Sequence, residues 1–123
     1  MGNATILVIG VSDSDLSRIS ESLAAYRILA ACVVTLAYGL LERQLTIQIV
    51  IIDLDMPDYR GMQLLAMVKS EPRFSSTHVI ILTRSDDPDQ EISGLRLGAD
   101  DYLRKPILKE TLRARIDMHF ELA

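Results

Sequence analysis

Tryptophan is absent from these 123 residues, aromatic residues make up only 5%, and there is a single cysteine. A nucleic-acid surface needs clustered Lys and Arg with rings that stack on bases, and a chain of formal net charge -4 with so few rings argues against that class. One Cys cannot close an internal disulfide. Cys32, in the run Ala31-Cys32-Val33-Val34, reads as a buried thiol in a reducing compartment, so a cytoplasmic location is expected. Long apolar runs are missing as well. The longest uncharged stretch, Ile28 to Leu41, falls short of the roughly 20 residues that span a bilayer, and Thr35 and Gly39 interrupt it. No basic segment opens the chain, and Ile6 stands where a myristoylation signal needs Ser or Thr. His78 and His119 lack any His/Cys ligand spacing, so no transition-metal site is expected and both read as solvated.

What the sequence does contain is 49% apolar residues set out in alternating periods. At this length a chain buries roughly two-thirds of its unfolded surface, enough for one domain over residues 1–123. Thr5 to Ile9, Gln48 to Ile52 and Val79 to Thr83 are continuous apolar, mostly β-branched runs, the pattern of strands buried on both faces of a parallel sheet. Shorter strands are predicted over Arg27 to Ala30 and Asp101 to Arg104. Between them the period becomes helical. Ser12 to Asp15 offers cap oxygens ahead of Leu16, Ile19 and Leu23, and a helix ends near Arg43. Another runs through Met62, Leu65 and Val68 to a stop at Glu71-Pro72. Asp87-Pro88 opens a fourth helix with Ile92 and Leu95 inward and Gly98 as its stop. Leu108, Leu112, Ile116 and Phe120 form the inner row of a fifth. Five strands alternating with five helices predict an α/β fold with a parallel sheet covered on both faces. The segment Ala31 to Leu41 is apolar around most of a helix's circumference: either part of it extends the second strand, or, as a helix, its surplus apolar surface predicts a partner or homodimer contact.

In an open parallel sheet, ligands bind beyond the carboxyl ends of the strands. That rule selects Gly10 and Val11, Asp53, Thr83 and the pair Lys105-Pro106. A carboxylate, a hydroxyl and an ammonium meeting there suit phosphoryl transfer: a nucleophile, a hydrogen-bond donor and a cation. A flavin carrier on the same architecture would need an uncharged, hydroxyl-rich loop after the first strand, but Asp13 and Asp15 place carboxylates there.

Asp53 with Pro57 and Gly61 four and eight residues on, then Val79-Ile80-Ile81-Leu82-Thr83, then Gly98 through Pro106, resembles the receiver domain of two-component response regulators. The resemblance implies a flavodoxin-like sheet of order 2-1-3-4-5. It implies Asp53 as phosphoacceptor for a sensor histidine kinase or phosphotransfer protein, Lys105 as its ion-pair partner, Thr83 and Tyr102 as switch residues, and a cis candidate at Pro106. It implies a regulatory domain, not an enzyme. Receivers usually hold a divalent ion with two acids directly after the first strand, where this chain has Gly10 and Val11, so Mg²⁺ on Asp53 is expected to be weak or absent. Arg84, where a small residue is usual, is expected to substitute in part for the ion, and Asp55 is a candidate replacement ligand. Asp13 and Asp15 are read as first-turn helix acids. The missing acids leave a second reading, a pseudo-receiver acting through protein contact alone. The last helix resembles one that continues into an output module such as a diguanylate cyclase, although a single-domain regulator fits equally.

Overall fold

The β-branched runs form the centre of the molecule. A computed structural model describes residues 4–44, 46–56 and 60–122, the last without its side chain. Pro57, part of the spacing that carries the resemblance, lies outside the described residues. The elements are β1 (Thr5–Ile9), α1 (Asp13–Ser22), β2 (Arg27–Ala31), α2 (Val34–Arg43), β3 (Ile47–Asp53), α3 (Gly61–Ser70), a short 3-10 turn (Pro72–Phe74), β4 (His78–Thr83), α4 (Pro88–Arg96), β5 (Asp101–Arg104) and α5 (Lys109–Leu122). The strands are parallel and ordered β2-β1-β3-β4-β5.

Alternation along the strands divides the core in two. Leu7, Ile9, Val50, Ile52, Val79 and Ile81 pack with Val34, Ala37 and Leu41 of α2 and Leu64, Leu65 and Val68 of α3. Ile6, Val8, Ile49, Ile51, Ile80 and Leu82 pack with Ile19 of α1 and Leu112 and Ile116 of α5. Each fully buried side chain of this kind stabilises by roughly 2 kcal/mol. Register then places the functional edge. Ile9 pairs with Ile52, Asp53 with Leu82 and Thr83 with Arg104, so the ends of four strands align and Lys105 follows one step beyond.

Several burial expectations are corrected. Ile92 and Leu95 are 46% and 47% exposed, and α4 buries Gly94 instead. A Cβ there would stand 3.5 Å from the Tyr102 ring and from Met62, so α4 approaches β5 on its glycine face. Leu108 precedes α5 and is exposed, with Ile107 buried in its place. Cys32 is exposed, because it follows the edge strand β2 with no strand outside it. On α2, Leu36 is exposed, while Tyr38 packs edge-on against Phe74 and absorbs part of the surplus apolar surface.

The histidines are not solvated side chains. His119 is 4% exposed, and its Nδ1 lies 3.0 Å from Nδ1 of His78. Its Nε2 lies 3.0 Å from Oδ2 of Asp101, whose carboxylate also accepts from Arg115 at 2.9 Å. A carboxylate only accepts, so His119 donates to Asp101 through Nε2, while its Nδ1 faces His78. Burial lowers the His78 pKa from its usual 6.5, against the raising charge of Asp100. A depressed imidazole pKa contributes stability in full above pH 6.5 and loses it as pH falls through the lower folded value. Urea unfolding from pH 8 to 5 should therefore show a decline in stability that His78→Asn flattens. Asp101, also shifted downward, loses its contribution only in a lower window, below 3.8.

Candidate functional site

Asp53 closes β3 and is 2% exposed. Its Oδ1 accepts the backbone N–H of Asp55 at 2.8 Å, and its Oδ2 accepts from Lys105 Nζ at 2.6 Å. Lys105 is delivered from beyond β5, where its N–H donates to the Thr83 carbonyl at 2.8 Å and its bond to Pro106 is cis. The same ammonium reaches Asp55 at 3.1 Å and Asp15 at 3.6 Å. Thr83, fully buried at the end of β4, places Oγ1 3.3 Å from Asp55 Oδ1. Asp15, Asp53, Asp55 and Lys105 line a cleft of about 530 Å³ together with Gly10, Val11 and Met56.

Charge dominates here. Burial opposes ionisation of Asp55, but hydrogen bonds from Lys105 and the Arg84 N–H outweigh it and hold the carboxyl below its ordinary 3.8. Burial likewise works against charged Lys105, and the Asp53 and Asp55 carboxylates more than offset it, leaving the amine above 10.5. Arg84 sits outside this cluster: its side chain is 77% exposed, and its ion pair runs to Asp55 at 3.4 Å. Lys105, not Arg84, is the cation among the carboxylates.

Asp15 is a first-turn acid of α1, as its sequence position implies, and it also reaches the cleft. Ser12 caps α1 by accepting the Asp15 N–H at 3.1 Å, which leaves the Asp15 carboxylate for Lys105. One carboxylate serves the helix dipole and the cleft together, and helix periodicity alone could not separate these roles.

Tyr102 is half-buried on β5 and donates its hydroxyl to Gln90 Oε1 at 2.6 Å. Gln90 is the residue that sequence reasoning missed. Its i, i+4 relation to Gly94 was the available signal, obscured by the more apolar Ile92 and Leu95.

The residues do not fit a resident divalent ion. Mg²⁺ requires several oxygens at about 2.0–2.1 Å in octahedral array. Gly10 and Val11 supply no side-chain oxygen. Gly10 has φ +78°, and a Cβ there would lie 2.5 Å from Sδ and 2.6 Å from Cβ of Met56, which fills that wall. Lys105 draws Asp15, Asp53 and Asp55 onto its ammonium. Among the described residues, no group of three or more His, Cys, Asp or Glu is arranged to hold a metal.

A five-stranded parallel sheet with an aspartate, a hydroxyl and a lysine at its carboxyl edge defines a phosphoryl-switch class of α/β domain. The chain belongs to the response regulator receiver domain family, whose model it matches over residues 12–117. It is 33% identical over 122 residues to a Vibrio cholerae protein named "Probable cyclic di-GMP phosphodiesterase", covering 98% of this chain and 27% of that protein. Over 66 residues it is 42% identical to the transcriptional regulatory protein GltR of Pseudomonas aeruginosa, covering 54% of this chain and 27% of GltR. The chain thus spans about a quarter of the length of both relatives. The BeF3-activated DrrB receiver domain superposes with a TM-score of 0.82 at 29% identity, covering 98% of this chain and 99% of that one. The fold is the flavodoxin-like receiver architecture, and its role is phosphorelay signal receipt.

Proposed function

We propose that Asp53 is the phosphoacceptor, taking a phosphoryl group from the phosphohistidine of a sensor kinase or phosphotransfer protein. A carboxylate oxygen forms the new bond to phosphorus as the bond to the imidazole nitrogen breaks, and the imidazole keeps that electron pair. Lys105 stabilises charge on the transferring oxygens, Thr83 donates a hydrogen bond to them, and Tyr102 responds behind it. The observation that carries this reading is the 2.6 Å pairing of buried Asp53 with Lys105, beside Thr83, at the aligned strand ends.

Divalent metal is a weak participant in this proposal, because Lys105 occupies the carboxylates and Arg84 adds positive charge at the rim. The domain acts as a regulator, not an enzyme in its own right. No helix among the described residues is long and apolar enough to cross a membrane, which supports the cytoplasmic setting in which a kinase would meet it. The Vibrio relative's name favours an output that handles cyclic dinucleotides, with hydrolysis ahead of the cyclase expected above.

The test is intact-mass spectrometry after incubation with acetyl phosphate, with Mg²⁺ or with a chelator. A phosphoryl adduct on the wild type that is lost in Asp53→Ala is the expected result. Its survival in chelator supports the cationic role of Lys105, whereas strict dependence on Mg²⁺ overturns the weak-metal proposal. Gly10, Val11 and the Met56 wall favour the second reading, a phosphorylation-independent pseudo-receiver. That reading prevails if neither acetyl phosphate nor a phosphorylated kinase domain yields an adduct.

A further inference from the structure

We propose that Gln90 is a positioning residue that couples the buried Thr83 hydroxyl, beside Asp55, to the Tyr102 phenol at the α4–β5 contact. The significance of this coupling for signalling rests on Asp53 being the phosphoacceptor, but the coupling itself belongs to the unphosphorylated chain. Thr83 Oγ1 accepts the N–H of Ser85 at 3.0 Å and has one proton to donate. Two acceptors compete for it: Asp55 Oδ1 at 3.3 Å, inside the cleft, and Gln90 Oε1 at 3.2 Å, on α4. The same Gln90 oxygen accepts from Tyr102 at 2.6 Å. A carbonyl oxygen has two lone pairs, so it can serve both hydroxyls at once.

Thr83 is fully buried and has no water to fall back on, so its proton must choose. A charged acceptor makes the stronger hydrogen bond, but the Asp55 carboxylate is already shared with Lys105 and the Arg84 N–H, so Gln90 competes for the proton until further negative charge in the cleft draws it away from α4. Gln90 then holds Tyr102 alone. One turn later, Gly94 lets the Tyr102 ring come within 3.5 Å of where a Cβ would stand, so the ring is seated between positions 90 and 94 of one helix face. A change at Thr83 therefore reaches the ring through a single amide oxygen. An i, i+4 pair of apolar residues at these positions would provide packing but no such connection.

The experiment is a double-mutant cycle on the unphosphorylated chain, read from the Tyr102 ring resonances by NMR with labelled tyrosine and assigned with Tyr102→Phe. Thr83→Val should move the Tyr102 resonances in the wild-type background and leave them unmoved in Gln90→Leu. Gln90→Glu, which keeps an acceptor oxygen in reach, should restore the response. Gln90→Ala, which removes the oxygen without adding apolar bulk, serves as the second background if the Leu variant does not fold. The proposal is overturned if Thr83→Val moves Tyr102 equally with and without the Gln90 oxygen, or fails to move it in the wild type. No phosphoryl group takes part in the cycle. Failure of Asp53 to accept phosphate would appear only in the intact-mass experiment, so the two failures are distinguishable.

Discussion

Gly10→Asp, which would restore the first acid that receivers usually carry after β1, is expected to destabilise the domain by about 3 kcal/mol. Two costs add. At φ +78° a side chain costs about 1 kcal/mol, even for Asp, which tolerates the left-handed region better than most residues. The new Cβ would also press on Met56, which is 1% exposed; its own Cβ, only 2.6 Å away, is tied to the backbone and cannot swing clear. Overpacking of this kind costs about 2 kcal/mol. Val11→Asp, at a half-buried neighbour with no positive φ, should stay within about 1 kcal/mol of wild type. Urea unfolding of the two variants provides the comparison, and a Gly10→Asp midpoint equal to wild type would remove Met56 as the obstacle.

The second large effect is an asymmetry between the partners of the Asp53–Lys105 ion pair. Lys105 meets three carboxylates, so Lys105→Met leaves Asp15, Asp53 and Asp55 repelling one another around buried Asp53. Breaking a fully buried pair costs about 3–5 kcal/mol, and in a half-open cleft the expected loss is about 2 kcal/mol. Asp53→Asn leaves Lys105 with two partners and relieves repulsion, so it should cost under about 1 kcal/mol. Adding Asp53→Asn to Lys105→Met should recover part of the loss. The sign with pH follows from Asp55: against burial, Lys105 holds its carboxyl below the ordinary 3.8, a contribution lost as pH falls below that value, so the gap to wild type narrows in acid. Thermal unfolding at pH 7 and pH 3 measures both effects. Equal destabilisation by the two single substitutions would contradict the charge count.

The fold was legible because a sheet covered on both faces demands unbroken apolar strands, and Thr5–Ile9, Ile47–Asp53 and His78–Thr83 supply them. The cleft was legible to the same degree, since Asp53, Thr83 and Lys105 stand at strand ends, where register alone fixes their neighbourhood. What could not be read depended on side-chain direction or on distant juxtaposition. His78 and His119 are 41 residues apart and meet only because α5 packs back against the sheet. The contact of Asp15 with Lys105, added to its place in the first turn of α1, joins residues 90 positions apart. Gln90 was obscured because a polar inner face contradicts the usual apolar stripe, and here the helix meets β5 through a glycine and an amide.

The exposed Cys32 gives this cleft an experimental handle. It is the only thiol in the chain, and it lines the same cavity as Asp53 and Lys105 while lying outside their hydrogen-bond network. A thiol-reactive fluorophore would therefore attach at one defined point on the rim, with no competing cysteine to remove first. Its emission would follow phosphodonor binding in real time, in a protein that has no tryptophan to serve as an intrinsic reporter.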